Sequence, residues 1–162
     1  MSIKESVHSN DNFFIYGLQN LLSKELVNDF FTIIDLDDRS SNDAQDMINR
    51  DKEIIAFASN DLASLYANEF GKMPVLDKRC SIKDILSYFM LKDEKGIYRS
   101  TINLTKREKE ITNLLRAGFS QDEISEKLNI SNKTMYCHRR NIMKKLDCSN
   151  RIYLQKLLLQ TN

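Results

Sequence analysis

Beyond residue 101 the sequence repeats a helix-start signal. Thr105-Lys-Arg-Glu108 and Ser120-Gln-Asp-Glu123 each place a hydroxyl three residues ahead of a glutamate. Hydroxyl and carboxylate then satisfy each other's backbone amides at a helix N-terminus, so each tetrapeptide is a capping box. Ser131 supplies a plain N-cap for a third segment. Ser149 or Asn150 caps a fourth, which carries Ile152, Tyr153, Leu154, Leu157 and Leu158. Four starts within residues 101–162 leave room only for short helices and predict a compact all-α unit.

The second and third segments are joined by Leu128-Asn129-Ile130-Ser131. Asparagine tolerates the left-handed backbone region, so a sharp turn at Asn129 costs little. Ile124 and Leu128 before the turn, with Met135 and Ile142 after it, would close the inner corner of a helix-turn-helix. The third helix, predicted from Asn132 to Leu146, has two faces. Met135, His138, Ile142 and Leu146 recur at three and four residues, while Lys133, Tyr136, Cys137, Arg140 and Lys144 form the opposite stripe. No acidic residue interrupts this helix before Asp147. A cationic helix face suits the DNA major groove, where base edges are distinguishable. It also suits an ordinary surface helix with solvated charges, and the helix alone does not separate the two.

The earlier part of the chain has a different rhythm. Phe13, Phe14, Tyr16, Gly17, Leu18, Leu21 and Leu22 recur at helical spacing after the polar stretch Ser9–Asn12. Phe30–Ile34, ending at Asp35, and Ile54–Ala58, ending at Ser59, are short β-branched and aromatic runs of buried-strand type, with Met73–Leu76 a weaker third. Helical segments are expected around 42–49, 61–70 and 81–91. Strands alternating with helices imply a parallel sheet covered by helices. The expected organisation is an α/β domain over residues 1–91, a linker over 92–101, and an all-α domain over 102–162.

Charge divides along the same line. Residues 1–100 carry 12 Lys and Arg against 17 Asp and Glu, a net of −5; residues 101–162 carry 12 against 6, a net of +6. A basic segment joined to an acidic one is the layout expected when one part meets phosphate and the other does not. Three scattered cysteines without a CxxC pair read as reduced thiols, and His8 and His138 are too far apart in sequence to suggest a structural zinc. No metal and no cofactor is expected. The sequence has no run of eighteen apolar residues and no apolar core of a secretory signal near its start, so a cytoplasmic protein without membrane contact is expected, associated with the nucleoid when on DNA. Nucleophile elbow, P-loop and dinucleotide-binding turn are all missing from a chain with four glycines, which argues against an enzyme.

From Leu104 to Arg151 the chain resembles the LuxR-type (GerE-like) helix-turn-helix of bacterial regulators. The matching residues include Leu104, Thr105, Arg107, Glu108, Glu110 and Ile111, then Gly118, Ser120, Glu123, Ile124, Leu128, Ile130 and Ser131, then Thr134, His138, Asn141, Ile142, Lys145, Leu146 and Arg151. The resemblance implies a four-helix domain whose third helix enters the major groove and whose fourth packs between protomers. By family position Tyr136, Cys137 and Arg140 would face base edges. Ser120, Lys133, Thr134, His138 and Lys144 would approach phosphates. His138 lies on the inward face and is equally a packed core histidine, and Cys137 is equally a merely small residue. The implied partners are promoter or operator duplex and a second copy of the chain, with a heterodimer or RNA polymerase as further candidates.

The N-terminal part is similar to an abbreviated receiver domain, the regulatory module that precedes many LuxR-type helix-turn-helices. Asp35 falls at the phosphoacceptor position, Lys78 at the lysine position, and Ser59 near the switch hydroxyl. Ser9-Asn10 stand where the metal-binding acidic pair belongs. Two neutral side chains remove most of the attraction for Mg²⁺. The resemblance therefore implies a degenerate receiver, shorter than usual by about one strand-helix unit, in which Asp35 goes unused. Without metal partners for the acid, Asp35-Leu-Asp37-Asp38 is better read as a plain polar loop leaving a strand.

Overall fold

The chain was analysed as a computed structural model, which describes residues 5–38, 51–65, 67 and 72–159. It divides into two compact units, with the break between Ser100 and Thr101. No helix among the described residues is long and apolar enough to cross a membrane.

The first unit is built on a four-stranded, wholly parallel sheet: β1 (Val7–His8), β2 (Phe31–Asp35), β3 (Glu53–Ala58) and β4 (Val75–Asp77), side by side in that order. Side chains alternate across the sheet with the period of two that strands impose. Ile33, Ile55 and Phe57 face one side, where they pack with Ile15, Leu18, Val27 and Phe89. Ile34, Ala56 and Ala58 face the other, against Ala63 and Ala67. The helices on these faces are α1 (Asn12–Leu21), α2 (Lys24–Phe30), α3 (Asp61–Leu65) and α4 (Ile82–Leu91). Asp11 caps α1 by accepting from the Phe13 and Phe14 amides, Ser23 caps α2 and Ser81 caps α4.

Several expectations shift. β1 and α2 were not legible in the pattern. Phe30 ends α2 and is exposed, so the central strand begins one residue later, at Phe31. Doubly wound receiver-type sheets run in the order 2-1-3-4-5. Here α1 leads through Leu22-Ser23 directly into α2, so the outermost strand is the missing piece and a helix remains. The stretch expected as a linker folds in part onto the sheet. Lys92 closes α4 with a left-handed backbone, Glu94–Gly96 form a 3₁₀ turn, and the Tyr98 amide donates to the Val75 carbonyl. The Tyr98 hydroxyl donates to Asp61 at 3.0 Å, and burial together with that carboxylate pushes the phenol up to about 12. The helix expected at 42–49 lies outside the described residues.

The second unit is helical throughout: α5 (Lys106–Arg116), α6 (Gln121–Leu128), α7 (Asn132–Lys145) and α8 (Arg151–Leu159). Both capping boxes form. Asn150 caps α8 through its side-chain oxygen, which accepts from the Tyr153 amide at 2.8 Å. Gly118 turns the chain between α5 and α6 at φ +92°, a conformation that favours glycine. The core is Leu104, Ile111, Ile124, Met135, Ile142, Leu154 and Leu158, all buried.

Candidate nucleic-acid interface

Asn129 adopts the left-handed conformation at φ 50°, and α6 stops there. The Ile130 amide closes the turn on the Ser125 carbonyl, and Arg107 of α5 donates to the Leu128 carbonyl at 3.2 Å. Ser131 then starts α7, its hydroxyl accepting from the Thr134 amide at 3.1 Å. Met135 and Ile142, seven residues apart, are wholly buried and fix the inward face of α7. The stripe across from them is consequently turned outward: Lys133, Thr134, Cys137, Arg140 and Lys144 are exposed, and Tyr136 is half exposed.

The charges of this stripe are unspent. Lys133, Arg140 and Lys144 form no ion pair with the described residues, whereas Lys145, on the same helix, and Arg107 of α5 are taken. Lys145 reaches Glu108 at 2.7 Å and the Asn103 carbonyl at 2.9 Å; Arg107 reaches Glu110 at 2.8 Å. Burial pushes the Glu108 carboxyl up, but hydrogen bonds from Lys145 and the Thr105 amide, with the Lys145 charge, bring it below the usual range. The pair ties α5 to α7 and leaves the outer stripe as the free positive face.

The predicted contacts divide on inspection. Tyr136, Cys137 and Arg140 share the exposed face with Lys133 and Lys144. The Thr134 hydroxyl lies 2.9 Å from that of Ser131, so it is shared with the cap. Ser120 is committed too, its amide to the Glu123 carboxylate and its hydroxyl to the Glu123 amide. His138 is half-buried beside the inward face. Sequence reasoning passed over Arg139, whose guanidinium donates to the Gln121 side-chain oxygen and lies 5.4 Å from the Tyr136 ring centre. Its position one residue before Arg140, a quarter turn off the stripe, was the available signal.

The GerE family, described as bacterial regulatory proteins of the luxR family, matches residues 102–157. Those residues are a LuxR-family helix-turn-helix domain. The response regulatory protein YgeK of Escherichia coli K12 is 46% identical over 63 residues, 39% of this chain and 43% of that protein. Transcriptional regulatory protein UhpA of the same organism is 31% identical over 97 residues, 53% of this chain and 50% of that protein. The chain thus spans half the length of these relatives or less. A structure of RcsB from Salmonella enterica serovar Typhimurium, bound to promoter rprA, is similar over 96% of this chain and 98% of that one, at 18% identity and a TM-score of 0.49. The LuxR-family domain is preceded here by the parallel α/β unit.

That unit holds a second polar cluster at the carboxyl ends of its strands, where open parallel sheets carry their sites. Asp35 ends β2 and is buried. Lys78, just past β4, donates to both its oxygens at 2.9 and 3.0 Å, and the Ser9 hydroxyl donates at 2.7 Å. Asp37 and Asp11 stand 3.5 and 3.8 Å from the same ammonium. Burial alone would lower the Lys78 pKa, but these carboxylates raise it on balance and hold the lysine protonated. The Asp35 carboxyl is pushed up, chiefly by burial, against the hydrogen bonds from Ser9 and Lys78. Ser59 does not join Asp35; its amide donates to Asp37 at 3.1 Å.

Proposed function

We propose that this chain is a cytoplasmic transcriptional regulator that binds double-stranded DNA sequence-specifically, with α7 in the major groove. The observation that carries the reading is the row of exposed cations, without ion pairs among the described residues, on the face of α7 opposite Met135 and Ile142. In this reading Tyr136, Cys137 and Arg140 meet base edges, and Lys133 and Lys144 meet phosphates. Arginine is the residue best suited to guanine, whose two acceptors match a guanidinium fork. The Ser120 and Thr134 hydroxyls serve their caps first and donate to phosphate secondarily, and His138 sits at the edge of the contact.

The regulator acts as a homodimer. One short helix-turn-helix reads few bases, and two half-sites gain effective concentration. Ile152 and Tyr153 on the outer face of α8 are exposed and available for pairing. Phosphorylation is not its trigger: Asp35 is buried and already hydrogen-bonded to Lys78 and Ser9, and a serine and an asparagine stand in place of the acidic pair. The chain is a binding protein and not an enzyme.

Fluorescence titration of the full chain with promoter fragments tests the reading. Duplex binding that weakens steeply with salt and differs among sequences is expected. Absence of salt-sensitive binding at low ionic strength overturns it. Incubation with acetyl phosphate and Mg²⁺, followed by intact-mass measurement, tests the trigger. A phosphoryl adduct lost in Asp35→Asn would replace the phosphorylation-independent reading with a true response regulator.

A further inference from the structure

Beside the stripe lies a pocket of about 240 Å³ between α5, α6, α7 and α8. Leu115, Leu154 and Leu158 form its apolar floor, and Gln121, Arg139 and Arg151 stand around it. No carboxylate of the described residues lines it. Arg151, at the first position of α8, is exposed and has no hydrogen-bond or ion-pair partner among the described residues. Arg139 uses its guanidinium on one neutral oxygen, that of Gln121. A guanidinium offers five donors, so most of its capacity is unspent.

The position of this pocket follows from the groove reading. An α-helix with its side chains is about 10–12 Å across, and the major groove is about 12 Å wide. A helix seated there points its central stripe at the bases and side chains about 100° away at the walls, which are the phosphate backbones. Arg139 lies about 100° from Arg140 on one flank of α7. On the other flank the cation is Lys145, which is taken by Glu108. Only one side of the helix therefore presents free guanidinium groups to a wall.

We propose that Arg139 and Arg151 together clamp one phosphodiester of the DNA backbone, with the leucine floor against its deoxyribose. The inference rests on the DNA-binding reading and adds to it two contacts and a handedness: this flank is the one that grips. Arginine suits the task because its planar fork pairs bidentately with phosphate oxygens. The hydrogen bond from Arg139 to Gln121 and its stacking on Tyr136 hold the fork before DNA arrives.

The test uses the full chain and a labelled duplex, with affinity measured by anisotropy across a series of salt concentrations. The double variant Arg139→Gln/Arg151→Gln is expected to reduce the steepness of log K against log salt by about 0.9, the value of one neutralised phosphate on duplex DNA, and Arg151→Gln and Arg139→Gln alone each by part of that. Affinity should fall several-fold for every sequence alike, and the order of preference among sequences should stay as it was. Arg151→Lys keeps the charge and should keep the slope. Arg151 is exposed and makes no hydrogen bond or ion pair among the described residues, so that variant should melt as the parent does. An unchanged slope in the double variant, in a chain that still binds DNA and still responds to Lys144→Ala, overturns the clamp and leaves the regulator reading standing. A parent chain without salt-sensitive binding overturns both. Saturable binding of inorganic phosphate without DNA, abolished by Arg151→Gln, would reassign the pocket to a free anion and also overturn the clamp.

Discussion

The two units treat charge in opposite ways. In the α/β unit the cations at the sheet are consumed internally: Lys78 among Asp35, Asp37 and Asp11, Lys92 on Glu53 at 2.5 Å, Arg79 on Asp77 at 3.0 Å. In the LuxR-family unit the Lys145–Glu108 pair ties α5 to α7, while three cations on the outer face of α7 have no ion-pair partner among the described residues. Charge that closes on itself specifies a structure. Charge left open specifies a partner. The sharpest way to break this contrast is Lys78→Met, which leaves Asp35 buried with no cation beside it. Removing one partner of a buried pair costs about 3–5 kcal/mol, so the first unit should lose that much stability in denaturant unfolding while the second unfolds as before. A loss below about 1 kcal/mol, the scale of an exposed pair, would mean that the cluster is a solvated one and the contrast false.

How much of this was legible in the sequence depended on whether the signal was local. The caps of α5, α6 and α7 and the left-handed turn at Asn129 are written in adjacent residues, because the backbone groups they satisfy lie within one turn of the cap. The stripe on α7 was legible because helical periodicity assigns faces without knowledge of the neighbours. β1 was not: its two residues, Val7 and His8, are too short for a pattern and become a strand only by pairing with Ile33 and Ile34. Helix α2 hid because Phe30 and Phe31 read as one strand run, while the chain turns from helix to strand between them. Residues 92–98 read as linker because they are polar, yet Tyr98 and Ile97 find partners in β4 that no local pattern announces. The pairing of Arg139 with Gln121 spans eighteen residues and is likewise a product of the fold.

On the open side of the contrast, Arg140→Ala should have the largest effect on recognition. It should weaken specific binding by about 1–3 kcal/mol and relax the preference at one base position, as expected for a bidentate base contact. A competition assay against singly substituted duplexes reads both quantities. Unchanged affinity and preference would mean that α7 meets DNA on a different face, or not at all.

Glu108→Gln probes the exception, the one cation of α7 that is closed. It removes the charge that Lys145 answers and weakens the α5 capping box, and should cost roughly 1–2 kcal/mol in thermal or chemical unfolding. The pH dependence carries the same information. A carboxyl held below its usual pKa in the folded state contributes stability that is present above the unfolded value and lost as pH falls through the folded one. Glu108 is such a group, and so is Glu123, lowered by the Ser120 amide and hydroxyl. Asp35 has the opposite sign, raised chiefly by burial; its contribution is full below the unfolded value and fades as pH rises through the folded one. Acidification through the carboxylate range should therefore loosen the LuxR-family unit, and Glu108→Gln should lessen that loosening in α5, as read by amide hydrogen exchange, while the contribution of Glu123 to α6 remains. Equal acid sensitivity in parent and variant would remove Glu108 as the cause.

The smallest expected change in stability separates an open charge from a closed one most cleanly. Lys144 is exposed and has no ion-pair partner among the described residues, so Lys144→Ala should shift unfolding by less than about 0.5 kcal/mol in either direction. Alanine even favours the helix slightly more than lysine does. Its effect should surface only when DNA is present: affinity should fall for all duplexes alike, and the salt slope should lessen by about 0.9. The same lysine charge, one residue further on at Lys145, is bound to Glu108 and should show the reverse, a stability loss with little change in salt slope. If Lys144→Ala and Lys145→Ala proved alike in both measurements, adjacency to a carboxylate would not be what decides which cations of α7 belong to the fold and which to the duplex.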